Sequence, residues 1–228
     1  MKRNRLLLAA AAIAAAAVVV VILLVAVDSG PKSTSTTPLP TVASAVFSGV
    51  PQQGDTLGKA NARVTITVFE DPQCPFCRTW SLETLPTVVK RYVRTGRVKL
   101  IYRGIQIIGP NSVRGLRAIY AAGEQNKLWN LADALYQHQG AENTGWITEA
   151  VIREAANVSG LNRRALLRAS SSAAVSVALA QATREAHFGG VSGTPTFIVE
   201  RPPGLPQQLS LTALDPASFT AALDAALQ

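Results

Sequence analysis

An α/β domain carrying an inserted helical subdomain is the fold class that this 228-residue sequence predicts. Three observations predict it. A β-branched run from Arg63 to Glu70 leads through Asp71-Pro72 into Cys74-Pro75-Phe76-Cys77, and an apolar rhythm of helical period then runs to Arg94. A second strand-like run, Val98 to Arg103, follows Gly96, so a strand–helix–strand unit with a right-handed parallel crossover is implied. Residues 111–188 read as almost wholly helical before strands return near Thr196.

In chain order, residues 1–5 are short and basic (Lys2, Arg3, Arg5), and Leu6 to Val27 is an unbroken apolar run long enough to cross a bilayer. The basic residues place that end in the cytoplasm, so residues 6–27 read as a single-pass signal-anchor at the cell membrane, with the rest of the chain extracytoplasmic. A cleaved signal peptide is the alternative, disfavoured by the length and the missing small-x-small site. No cysteine follows the run, which excludes a lipoprotein anchor. Residues 28–45, rich in Ser, Thr and Pro, read as a tether.

The globular composition begins at 46 and continues to 228. Val46-Phe47 suggests a short edge strand, and Gly49, Pro51, Gly54 and Gly58 mark turns. Pro86 should kink the helix after the cysteine motif, and Gly96 should end it. Helices are predicted over 112–125, 127–139, 147–157, 162–170 and 173–187, with Trp129, Leu131, Leu135 and Tyr136 on one buried face. Trp146, Ile147, Val151 and Ile152 read likewise as core. Strands are predicted at Thr196 to Glu200 and Gln208 to Thr212, and a last helix at Ala217 to Leu227, opened by Asp215-Pro216.

The net charge of +8 is spread without a dense Lys/Arg tract, which argues against nucleic-acid binding. Both cysteines of the chain lie in the one motif, so no structural disulfide and no four-thiolate zinc site can be built. No metal and no cofactor are called for. His187 reads as a structural cap at a helix end, where a cationic imidazole suits the dipole, and His138 as a solvated helix end.

The motif itself carries the chemistry. Cys74 falls at a helix N-terminus, where free N–H groups and the helix dipole favour an anion, so its thiolate is stabilised. Pro75 suits the first helical turn, where no donor is needed. Cys77, one turn on, can attack a mixed disulfide formed at Cys74, which is thiol–disulfide exchange. A second informative stretch is Val191-Ser192-Gly193-Thr194-Pro195-Thr196-Phe197, where a proline opening a strand is a candidate cis peptide.

Taken together, the Cys-Pro-x-Cys motif at 74–77, the Tyr92 to Gly96 segment, the helical insertion and Gly-Thr-Pro-Thr-Phe at 193–197 resemble the DsbA-like thiol:disulfide oxidoreductases of the thioredoxin superfamily. The resemblance implies a thioredoxin-like fold, a redox-active disulfide between Cys74 and Cys77, and a cis Thr194–Pro195 bond against the sulfurs. It implies a client strand pairing with Thr194 beside Pro195 and Val191, a monomer, exported client proteins with cysteines, and reoxidation by a quinone-coupled membrane partner. Two departures matter. The family often has a carboxylate six residues before the first cysteine, where this chain has Val68; Glu70 or Asp71 could stand in, against turn-capping or solvated roles for both. Phe76 replaces the histidine of the strongest oxidants, which implies a less depressed Cys74 pKa and a milder oxidant, with Arg78 as a partial compensation or merely a solvent-facing side chain.

Disulfide formation in exported proteins is thus the leading function. The same chemistry run as a reductase or isomerase, and a non-redox peptide-binding holdase, are the alternatives.

Overall fold

The structure, a computed structural model, describes residues 45–227. The expected cytoplasmic segment 1–5, the apolar run 6–27 and nearly all of the tether 28–45 lie outside the described residues. Among the described residues, no helix is long and apolar enough to cross a membrane.

Two strands form the centre. β3 (Val64–Glu70) and β4 (Val98–Gly104) pair in parallel from Val64↔Val98 to Glu70↔Gly104. Parallel pairing needs a crossover, and the helix after the cysteine motif supplies it. The sheet order is β1-β2-β4-β3-β5-β6, with β1 (Gln52–Gln53), β2 (Thr56–Leu57), β5 (Thr196–Glu200) and β6 (Gln207–Gln208) all pairing antiparallel.

The crossover helix, α1, spans 75–93 without a break but not with one period. α-Helical turns at Pro75–Thr79 and Leu85–Val88 alternate with wider π turns at Trp80–Thr84 and Val89–Val93. Pro86 has no N–H to donate, and it sits directly after a turn closed by Leu85 N–H to the Trp80 carbonyl. The predicted disruption at Pro86 thus takes the form of a wide turn. Gly96, at φ +78°, then reverses the chain into β4.

The helical subdomain comprises α2 (Ser112–Gly123), α3 (Leu128–Gln137), α4 (Glu149–Val158), α5 (Arg163–Ser170) and α6 (Ala173–Phe188), close to the predicted spans. Trp129, Leu131, Leu135 and Tyr136 are buried as expected, and so are Ile147, Val151 and Ile152. Trp146 is only half-buried. Arg103, mostly covered, joins the subdomain to the sheet by ion pairs to Glu185 on α6 and to Asp55 in the β1–β2 hairpin. On the other side of the sheet, α7 (Pro216–Ala226) lays Phe219 against Trp80 and Phe197, with ring centroids 4.6 and 5.0 Å apart.

Two predicted strands are corrected. Val46-Phe47 lies in a 3-10 turn, Ala45–Phe47, because Phe47 is drawn into the core instead of along an edge. The second C-terminal strand is confined to Gln207–Gln208; the Leu209 N–H makes one further bond to β5, at the Phe197 carbonyl (2.8 Å), and Leu209 and Leu211 pack against the core. The β1–β2 hairpin, for which only turn glycines were legible, is an addition.

Candidate active site

β3 ends at Glu70, and Asp71 turns the chain into the cysteine motif. Asp71 is fully buried and collects four donors: the N–H of Gln73 (2.8 Å), those of Ile107 and Ile108 (2.8 and 2.9 Å), and the Ser112 hydroxyl (2.7 Å). It is therefore the turn cap of the two predicted roles. Gln139, at the end of α3, donates to the carbonyls of Pro72 (2.9 Å) and Cys74 (3.0 Å) from the other side. These bonds hold the turn that presents Cys74 as the N-cap of α1, with Pro75 in the first helical turn.

Both cysteines are free thiols. Cys77 has no exposed surface; Cys74 is 3% exposed, at the mouth formed by exposed Pro75 and Phe76 and half-buried Thr194 and Pro195. The Thr194–Pro195 bond is cis, and the Thr194 carbonyl oxygen lies 3.1 Å from Cys74 Sγ. The two stretches singled out in the sequence, 120 residues apart, thus meet at one sulfur. Val191 is half-buried in the same loop.

The electrostatics differ sharply between the two thiols. A hydrogen bond from Cys77 holds the Cys74 thiol down at about 6, helped by the Thr194 side chain and the N–H groups of Cys77 and Phe76, against the opposing effect of burial. Burial pushes Cys77 well above the ordinary thiol range, and the hydrogen bond to Cys74 and the nearby Glu70 charge act in the same direction. So one sulfur is an anion at neutral pH and its neighbour holds a proton.

Glu70 corrects the solvated reading. Its side chain is 1% exposed and accepts from the Trp80 indole N–H at 3.2 Å. Burial raises its carboxyl to about 8, while hydrogen bonds from Tyr136 and Trp80 pull the other way and the charge of Cys74 adds to the rise. The reason that a carboxylate at 70 can do what one at 68 would do is strand period: Val68 and Glu70 lie on one face of β3, one pleat apart. Asp71 has the other parity and joins the loop network instead.

Arg78 is exposed, as expected, yet its Nε donates to the Tyr136 carbonyl at 3.1 Å. His138 caps α3 half-buried, 6.5 Å from the Trp146 ring, and is not the solvated end predicted. His187 is exposed in the last turn of α6. Sequence reasoning missed Gln73, Ser112, Tyr136 and Gln139 as parts of the site. No periodicity marks them, since each acts by one polar contact across the fold.

Comparison with known proteins is consistent with this arrangement. Residues 52–205 match the family model described as thioredoxin. A probable disulfide bond formation protein D from Bacillus cereus is 37% identical over 98 residues, 42% of this chain and 45% of that protein. The chain thus spans about half the length of the curated relatives it matches. A thioredoxin-like oxidoreductase from Silicibacter pomeroyi is similar in structure, with a TM-score of 0.58 at 29% identity over 78% of this chain and 91% of that one. Oxidised BdbD from Bacillus subtilis shares the fold, with a TM-score of 0.66 at 18% identity over 78% and 97% of the two chains. With the family model covering more than half of its length, the chain belongs to the thioredoxin family.

Proposed function

We propose that the protein is a thiol:disulfide oxidoreductase that forms disulfides in exported proteins, with Cys74 and Cys77 as its catalytic, redox-active pair. The observation that carries this is the asymmetry at the site: Cys74, held near pKa 6 between Cys77 and Thr194, beside a Cys77 that keeps its proton. In the oxidised enzyme, a client thiolate attacks Cys74, breaking the Cys74–Cys77 bond and forming a mixed disulfide. Cys77 leaves as a thiolate and takes a proton from Glu70, whose carboxyl at about 8 is protonated at neutral pH. A second client thiolate then attacks the client sulfur and expels Cys74 as its stabilised thiolate. The client loses two electrons and the enzyme gains them.

The Thr194 backbone, with Pro195 and Val191, offers an extended client segment a strand to pair with beside the sulfur. Pro75 and Phe76 support the motif, and exposed Phe76 is available to apolar client side chains. The name of the Bacillus cereus relative and that of the Silicibacter structure support the redox reading. The apolar run at 6–27, preceded by Lys2, Arg3 and Arg5, supports a single-pass membrane anchor with a cytoplasmic N-terminus and an extracytoplasmic catalytic domain. A quinone-coupled membrane protein would restore the disulfide.

The test is oxidative refolding of a reduced, unfolded client by the oxidised full-length protein. Wild type should transfer its disulfide and Cys74→Ser should transfer none, while Cys77→Ser, given a client that already holds a disulfide, should attack it through Cys74 and accumulate a mixed disulfide, the client's other sulfur leaving as a thiolate. A strongly reducing Cys74–Cys77 potential would turn the assignment to a reductase. A Cys74→Ser, Cys77→Ser protein that still performed the cellular task would turn it to a holdase.

A further inference from the structure

The end of β3 opposite Cys74 carries a cluster of cations that the proposed redox cycle does not use. Lys59, Arg63, Arg97 and Arg201 are exposed and line one open depression of about 450 Å³ with no acidic residue in its lining. It lies where β3 and β4 begin, at Val64↔Val98, whereas Cys74 follows the other end of β3, about 20 Å away at roughly 3.3 Å per residue. Arg91 and Arg94 extend the basic surface along the end of α1. Two acidic residues are near. Asp224 is engaged by the Tyr92 hydroxyl at 2.9 Å and by Arg91 at 3.7 Å, and Glu200 is exposed beside Arg201.

The chain enters the domain at this same end. Arg94 donates to the carbonyls of Ala45 (3.4 Å) and Val46 (2.8 Å), which fixes the first described residues to the end of α1. Residues 28–44 intervene between that point and the apolar run at 6–27. A chain of that length reaches at most about 60 Å. With the apolar run held in a bilayer, as proposed above, the point where the chain enters the domain stays within that reach of the headgroups, and cations there gain from an anionic surface within a Debye length of about 8 Å.

We infer that this end, through Lys59, Arg63, Arg97 and Arg201, docks on the anionic phospholipid headgroups of the membrane and turns Cys74 away from the bilayer, toward clients. The inference rests on the membrane anchor proposed above. Full-length protein in nanodiscs of phosphatidylcholine alone, or with one-third phosphatidylglycerol, tests it. Acetylation of Lys59 should slow at least threefold in the anionic discs and recover in 0.5 M NaCl, while alkylation of Cys74 proceeds at one rate in both. The triple variant Arg63→Gln, Arg97→Gln, Arg201→Gln should lose the protection. Equal Lys59 rates in both discs, or protection that survives the triple substitution, would overturn docking. So would equal protection by 10 mM inorganic phosphate in neutral discs, which marks a small-anion site. Elution apart from neutral discs would defeat the anchor alone; salt-sensitive sedimentation with anionic but not neutral vesicles would still support docking, and its absence would overturn it.

Discussion

Cys74 and Glu70 are the residues on which the chemistry turns, and each makes a measurable prediction. The rate of Cys74 alkylation by iodoacetamide should follow one ionisation with a midpoint near pH 6. The reduction potential should change slope at that pH: reduction takes up two protons below it and one above, about 59 and 30 mV per pH unit. Phe76 is 63% exposed beside the sulfur and offers no side-chain donor. Phe76→His should therefore lower the Cys74 midpoint and make the potential more oxidising; an unchanged potential would remove position 76 from the account of redox tuning. Glu70→Gln leaves the fold's contacts nearly intact but removes the proton carrier beside Cys77. Disulfide transfer should slow on the order of tenfold to a hundredfold, and the pH–rate profile should lose its limb near 8, as followed by the change in Trp80 fluorescence. Position 70 was legible in the sequence as a carboxylate, and position 68 as its absence. What the sequence did not display was depth: a Glu at a strand end is usually solvated, and only Trp80 and Tyr136 closing over it make it a buried acid.

Among the elements, the turn after β3 is the one that others depend on. Asp71 ties the end of β3, the loop after β4 and the start of α2 through its four donors. Asp71→Ala leaves three backbone N–H groups without this acceptor, that of Gln73 buried and those of Ile107 and Ile108 part-buried, and strips the buried Ser112 hydroxyl of its acceptor, at about 1–3 kcal/mol for each buried group and less for the others. A loss of at least about 3 kcal/mol in urea unfolding is expected, with Ser112→Ala costing about 1 kcal/mol. Of the elements, the long strands and helices were plain in the sequence because each keeps one period over seven residues or more. The two-residue strands of the β1–β2 hairpin and β6 were not, since alternation cannot be read from two residues. α1 was read as a helix, but its two π turns were not, because a wider turn leaves no compositional mark apart from Pro86.

At the scale of the whole molecule, the two shifted groups give stability a pH dependence that differs with redox state. Glu70 titrates near 4.5 when unfolded and near 8 when folded, so the folded state holds an extra proton between those values and stability falls as pH rises through them. The fall is at most about 5 kcal/mol. Cys74 acts in the opposite sense: near 9 unfolded and 6 folded, it adds stability as pH rises from 6 to 9. Reduced protein should accordingly lose stability from pH 4.5 to 6 and then level off to pH 8. Oxidised protein, with no thiol at 74, should go on losing it to pH 8, and Glu70→Gln should flatten that curve. Thermal unfolding of both redox forms across pH 5–8 checks this.

The complete burial of Cys77 also bears on what becomes of a client that stalls. In the proposed cycle a half-reacted client can escape only if Cys77 turns back on Cys74, and a sulfur that clings to its proton does so slowly near neutral pH. That delay works as a clock: it gives the client's second cysteine time to arrive before the encounter is abandoned. The same enclosure keeps peroxide and other small oxidants from the inner sulfur, so oxidative damage should fall first on the outer one.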